Sequence, residues 1–196
     1  LPAGILLEYV AGFLPTLLAG GTYLCPPAEL TGMGDPFRPD FRRMVLAIAE
    51  WDVTSLILVP EYLAGLVAVM EATGTKLPKL TLVAVGGART PPALIARARA
   101  LGLPVRQGYG LTECASVVSL ERDDDDASGS VGTALPHLTV TLADDGEILV
   151  DGPLCLGTIG APRGDGPLHT GDIGTIDAQG RVHVSGRKSS LIVTSH

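Results

Sequence analysis

With 196 residues, 46% of them hydrophobic, and with 25 glycines and 15 prolines, the chain is long enough to bury one large core or two small ones and too apolar to remain disordered over most of its length. Its formal net charge of −7, with no Lys/Arg cluster, repels polyanions and excludes long-range attraction of nucleic acid, so a nucleotide would have to be held by local donors. Cys25, Cys114 and Cys155 are widely spaced and odd in number, which suits reduced thiols in a cytosol better than a disulfide framework, and no Cys/His cluster has zinc spacing.

The apolar stretch from Ala3 to Cys25 is interrupted by Glu8, Pro15 and Gly20-Gly21 before the roughly 20 apolar residues of a membrane span accumulate. The chain begins Leu-Pro and carries no basic region ahead of that stretch, so it reads as an internal segment of a cytoplasmic protein with further sequence before it. From Pro39 to Trp51 the apolar residues Phe41, Met44, Val45 and Ile48 recur at helical spacing, with Arg42, Arg43 and Glu50 left for solvent. Ser55 to Val59 reads as a buried strand, Pro60 to Thr73 as a second helix and Leu80 to Val85 as a second strand. Thr90 and Pro91 read as the N-cap and first-turn pair of a third helix, and Val105 to Gln107 as the next strand.

After about Ser119 the texture changes to short strands separated by Gly and Asp turns. Thr139–Leu142 and Glu147–Val150 flank Asp145-Gly146, a hairpin signal, and Gly174–Ile176, Asp177–Gly180 and Arg181–Val184 repeat it. The expected fold is therefore α/β: a layered lobe with a mainly parallel sheet over residues 1–118, followed by a small distorted β-barrel lobe over residues 119–196. The acidic run Glu121–Asp126 is a solvated loop on this reading, because consecutive aspartates lack the spaced oxygens of a calcium loop.

Chemistry concentrates in Gln107-Gly108-Tyr109-Gly110-Leu111-Thr112-Glu113, placed after a predicted strand, where α/β sheets form ligand crevices. Tyr109 offers a flat face for a purine, Thr112 a hydroxyl for a phosphate oxygen and Glu113 a hard carboxylate for Mg²⁺; alone, the same residues would serve as a turn, a core tyrosine and a helix cap. Gly86-Gly87-Ala88 ends the preceding strand, and its spacing places it beside the Tyr-Gly loop. Asp172 in His169-Thr-Gly-Asp172 could accept bonds from both ribose hydroxyls, and Arg187 in Ser185-Gly-Arg187 offers a nearby cation; singly, an Asx-turn and a surface arginine are the plainer readings. His137, His169 and His183 lack the pattern of a triad and read as ordinary turn or strand-end residues, and Cys114 as a small buried thiol.

The order Gly-Gly-Ala, Tyr-Gly-Leu-Thr-Glu, Gly-Glu-Ile-Leu-Val, Thr-Gly-Asp, Gly-Arg-Lys resembles the acyl-CoA synthetase branch of the adenylate-forming enzymes over nearly the whole chain. The resemblance implies that Gly86, Gly87 and Ala88 border an adenine on which Tyr109 stacks. It further implies that Gln107, Gly108, Gly110 and Leu111 line the nucleotide, that Thr112 and Glu113 meet phosphate and Mg²⁺ as the catalytic pair, that Asp172 and Arg187 hold the ribose, and that Ser190 is a hinge. Leu1-Pro2 with Leu7-Glu8 resembles the family's leading motif, with Ile5 where many members carry an aromatic residue or histidine near the acyl tunnel. The implied reaction consumes a carboxylic acid, most readily a fatty acid, with ATP and CoA, through an acyl-adenylate and release of AMP. The family's glycine-rich phosphate loop and its lysine-bearing C-terminal domain have no counterpart here, so the remainder of the same polypeptide is expected to supply them and the 196 residues alone are expected to turn over negligibly; one preorganised donor is often worth ~3 kcal/mol. Two other classes compete with this reading: a non-catalytic nucleotide- or acyl-sensing module or scaffold, which the flanking sequence would discriminate, and a dehydrogenase-type dinucleotide-binding domain, against which stands the lack of a Gly-x-Gly-x-x-Gly after the first strand of this sequence.

Overall fold

The computed structural model describes residues 4–35, 37–122 and 129–190. Two compact units make up the chain, Leu1–Arg106 and Gln107–His196. Together they form a mixed α/β fold with a parallel-containing sheet and a curled half-barrel sheet, as the alternation of helical and β-rich texture predicted.

In the first unit, α1 (Leu6–Glu8), a π-helical turn at Tyr9–Phe13 and α2 (Leu14–Leu18) follow one another directly, with Pro15 tolerated because it falls in the first turn of α2. Among the described residues no helix is long and apolar enough to cross a membrane. Helix α3 (Phe41–Glu50) starts where Asp40 accepts the Arg43 backbone N–H at 3.0 Å, and it buries Met44, Val45, Ala47 and Ile48; of the predicted stripe Phe41 is only partly buried, and Ala47 joins it. Strand β1 (Ser55–Leu58) leads into α4 (Pro60–Thr73), which spans the residues predicted for it and ends at Gly74 in a left-handed conformation.

Strand β2 (Leu82–Val85) pairs parallel with β1 from Ser55↔Leu82 to Leu58↔Val85. Helix α5 (Pro92–Ala100) corrects one expectation. Pro91, not Thr90, is its N-cap, and Thr90 is buried. Two consecutive prolines explain the shift, since Pro92 suits the first helical position and biases the residue before it to extended backbone, seen at Pro91 as φ −60° and ψ 130°. Leu63, Leu66, Val67 and Met70 of α4 pack at 0% exposure with Val83 and Val105 in the centre of this unit's core.

Strand β3 (Val105–Tyr109) crosses the division between the units. In the second unit its Gly108 and Tyr109 pair antiparallel with Leu120 and Ser119 of β4 (Ser119–Leu120), which pairs in turn with β5 (Thr133–Ala134). Next come β6 (Thr139–Leu142) and β7 (Glu147–Asp151), joined at Asp145-Gly146 in the predicted hairpin, and the short pair β8 (Gly157–Thr158) and β9 (Ala161–Pro162). The second predicted hairpin forms from β10 (Leu168–Ile176) and β11 (Val182–Arg187), and a four-stranded sheet has the order β11-β10-β7-β6. The hydrophobic core of this unit gathers Cys114, Val118, Leu138, Ile148, Val150 and Val182.

Strand β10 carries two irregularities. Against β7, the pairing passes from His169↔Leu149 to Ile173↔Glu147, so β10 advances four residues (173 − 169) while β7 advances two (149 − 147). Against β11, it passes from Asp172↔Arg187 and Ile173↔Gly186 to Gly174↔Val184, which leaves Ser185 as one extra residue on β11.

Candidate nucleoside site

Three of the residues singled out in the sequence meet in the second unit. Asp172 lies on β10 opposite Arg187 of β11, and the residue is 5% exposed. Its Oδ1 forms an ion pair with Arg187, 2.9 Å from Nε, and its Oδ2 accepts the Tyr109 hydroxyl at 2.6 Å. Arg187 also donates through Nη1 to the Thr170 carbonyl at 3.1 Å. The Tyr109 ring packs beside the second unit's core, and its hydroxyl is held well above the ordinary tyrosine value, first by burial and then by its bond to the Asp172 carboxylate. A half-buried aromatic face, a carboxylate and a guanidinium about half exposed thus stand together, with oxygen lone pairs and N–H groups suited to vicinal hydroxyls.

The segment leading to this cluster is more strand-like than its sequence suggested. A strand ending at Gln107 was expected, yet β3 continues through Tyr109, because Gly108 and Tyr109 find ladder partners in β4. Gln107 is buried: its backbone N–H donates to Glu121 Oε2 at 2.7 Å and its side-chain amide to the Ser130 carbonyl at 3.2 Å. Gly110 is needed for close approach, since a Cβ there would collide with the Ser116 carbonyl. Thr112 and Glu113, exposed, form a 3-10 turn with buried Cys114, after which Ala115 and Ser116 adopt positive φ of 52° and 86°.

Glu113 offers an exposed carboxylate and the preceding Thr112 an exposed hydroxyl, and no group of three or more His, Cys, Asp or Glu placed to hold a metal occurs among the described residues. Such a donor set suits Mg²⁺ only in the mode in which phosphate oxygens and water fill most of the shell. Burial pushes the Cys114 thiol up to about 11, which leaves it protonated at neutral pH.

Gly86, Gly87 and Ala88 belong to the first unit, at the carboxyl end of β2, where Gly86 is buried and donates to the Leu58 carbonyl at 3.2 Å, and Gly87 is exposed at φ +81°. Ser190 ends the 3-10 turn Lys188–Ser190. Leu1-Pro2 and most of the acidic run, Asp123–Asp126, fall outside the described residues.

One group of residues next to the cluster escaped the sequence reading. The Glu147 carboxylate, on a side chain 7% exposed, accepts the Gly171 backbone N–H at 2.9 Å and Lys188 Nζ at 3.1 Å, and lies 3.1 Å from His169 Nδ1. These contacts, His169 foremost, push its carboxyl down to about 2. Lys188 also reaches Asp145 Oδ2 at 2.5 Å. The only hint in the sequence was the Gly-Glu-Ile-Leu-Val and Gly-Arg-Lys wording itself.

Residues 1–163 match the family model for AMP-binding enzymes, and the chain belongs to that family. It is 32% identical over 128 residues to a long-chain-fatty-acid–CoA ligase of Thermus thermophilus, an alignment covering 54% of this chain and 24% of that protein. It is 30% identical over 119 residues to an indoleacetate–CoA ligase of Aromatoleum aromaticum, covering 55% and 23%. The fold superposes on O-succinylbenzoate coenzyme A synthetase from Bacillus subtilis, solved with ATP and magnesium ion, at a TM-score of 0.73 and 24% identity, covering 97% of this chain and 47% of that one. The matched region is thus about a quarter of the length of these two curated relatives.

Proposed function

We propose that this chain is the nucleoside-holding part of an AMP-forming acid–CoA ligase, which joins a carboxylic acid to ATP as an acyl-adenylate and then passes the acyl group to the thiol of CoA. The observation that carries this reading is the convergence of Tyr109, Asp172 and Arg187, 63 and 78 positions along the chain from the tyrosine (172 − 109 and 187 − 109), on one carboxylate. In the proposed complex Tyr109 presents its ring to the adenine, and Asp172 accepts from the ribose hydroxyls while Arg187 keeps its carboxylate oriented. Thr112 and Glu113 meet the phosphate and Mg²⁺, with Gly86, Gly87 and Ala88 bordering the base. The acid is proposed to be a fatty acid, on the likeness to the Thermus ligase, with aryl-acetic acids as the first competitors to test. Ser190 is proposed as the hinge.

Calorimetric titration of the 196-residue chain with AMP tests the reading directly. Binding of AMP is expected, weakened about tenfold or more in Asp172→Asn, since a hydrogen bond to a charged group is worth ~1.5–3 kcal/mol. A wild-type chain that takes up no AMP, or an Asp172→Asn variant that binds it as well as wild type, would show the reading to be wrong. Carboxylate-dependent pyrophosphate exchange should be negligible for these residues alone, and robust exchange would refute that part.

A further inference from the structure

Asp172 and Arg187 are partners in the β10–β11 ladder, but on the β7 side the backbone around Asp172 lacks regular ladder partners. Between His169↔Leu149 and Ile173↔Glu147 the regular ladder to β7 is interrupted, and Thr170, Gly171 and Asp172 bulge out of it, with Gly171 in the left-handed region at φ +72°. Side chains replace the missing ladder bonds. Thr170 Oγ1 donates to the Ile148 carbonyl at 2.8 Å and accepts the Asp172 N–H at 3.0 Å, while the Gly171 N–H goes to Glu147 Oε1 at 2.9 Å. The other oxygen of the same carboxylate accepts Lys188 Nζ at 3.1 Å, and Lys188 is the residue immediately after Arg187. One carboxylate therefore grips the residue before Asp172 and the residue after Arg187. Asp145, which orients the Glu147 backbone N–H through Oδ1 at 3.1 Å, pairs with the same lysine through Oδ2.

We propose that Glu147 and Lys188 are positioning residues for the nucleotide, a clasp across β7, the β10 bulge and the end of β11 that sets where Asp172 and Arg187 stand when a ribose is bound. This rests on the proposed nucleoside reading and adds residues to it that touch no nucleotide themselves. The clasp acts on the ribose contact and not on the base, because both of its anchor points flank the carboxylate–guanidinium pair. With the clasp broken, the bulge keeps its Thr170 bonds but loses the Gly171 anchor or the Lys188 anchor, and the carboxylate is presented in a broader range of positions.

The test compares AMP with 2′,3′-dideoxy-AMP, which keeps base and phosphate and lacks both ribose hydroxyls, on the 196-residue chain and on Lys188→Met, Lys188→Arg and Glu147→Gln. Wild type is expected to prefer AMP. Lys188→Met and Glu147→Gln are expected to lose affinity for AMP about tenfold while binding dideoxy-AMP as wild type does, and Lys188→Arg, which keeps a cation at a side chain 47% exposed, is expected to restore most of the preference. A merely structural role would lower both affinities together, and that outcome overturns the clasp. So does an unchanged AMP preference in Lys188→Met, whose partly exposed position keeps the test usable should Glu147→Gln fail to fold. A wild-type chain that binds both nucleotides equally would instead overturn the ribose reading on which the clasp depends.

Discussion

The Tyr109 hydroxyl donates at 2.6 Å to the carboxylate of buried Asp172, and Tyr109→Phe deletes that bond while keeping the ring. A hydrogen bond to a charged group contributes ~1.5–3 kcal/mol, and because Tyr109 is only partly buried the lower end applies, so the variant should lose about 1.5 kcal/mol of unfolding free energy at pH 7. Arg187 stays on the opposite oxygen at 2.9 Å, which keeps Asp172 from becoming an isolated buried charge and caps the loss near that figure. Urea unfolding of wild type, Tyr109→Phe, Asp172→Asn and the double variant measures the coupling, expected at about 1 kcal/mol. The same bond has an alkaline signature. The folded state raises the tyrosine's affinity for its proton above that of the unfolded chain, whose tyrosine titrates near 10.0, so this stability is fully present below that pH and is lost as pH rises from there toward the folded value. Tyr109→Phe should flatten that alkaline loss. A coupling below about 0.3 kcal/mol together with an unchanged alkaline limb would refute the energetic role assigned to this contact.

Glu147 predicts the opposite limb. Its carboxyl falls from an ordinary 4.5 to about 2, so its contribution is present above 4.5 and drains away as pH falls from 4.5 toward 2; acid titration of stability should be shallower in Glu147→Gln, and equal slopes would count against the three-donor arrangement. Ser116, at φ 86°, pays a steric cost that glycine does not, so Ser116→Gly should raise the thermal midpoint, with a gain of roughly 1 kcal/mol in unfolding free energy. Asp40→Ala removes the cap on the Arg43 N–H and should cost about 1 kcal/mol by denaturant titration, with no effect on AMP affinity. Leu66→Ala, at 0% exposure in the first core, should cost about 3 kcal/mol or more in the same assay.

The parts of the fold that depend on local signals were legible in the sequence. Helix α4 could be read from end to end because Pro60 suits a first turn and Gly74 a left-handed stop, and the β6–β7 hairpin because Asp145-Gly146 turns readily. Local signals misled where partners lie elsewhere in the chain. Gly108-Tyr109-Gly110 reads as a turn, but Leu120 and Ser119 offer ladder partners to its first two residues and extend the strand. Thr90 looked like a cap, and the second proline moved the helix start past it. At the candidate site, Tyr109, Asp172 and Arg187 stood out by residue type and family wording, whereas Glu147 did not: a glutamate opening a hairpin strand is usually solvated, and nothing near it in sequence announces a lysine 41 positions away.

The two irregularities of β10 differ in parity, and that difference determines which way the side chains of the candidate site face. The excess over β7 is two residues, an even number, so Thr170, Asp172 and Gly174 keep to one face through the bulge and all three are interior-facing. The excess on β11 is the single residue Ser185, an odd number, which moves Arg187 onto the side shared by Val182 and Val184 and so opposite Asp172. In a straight ladder Gly186 would stand there, and the guanidinium would emerge on the far surface of the sheet. Straightening the strand with Ser185 retained would therefore reverse the arginine without touching any atom of it, whereas deleting Ser185 would remove the bulge and leave Arg187 opposite Asp172; insertions or deletions in the β10 bulge are compatible with this arrangement only in steps of two.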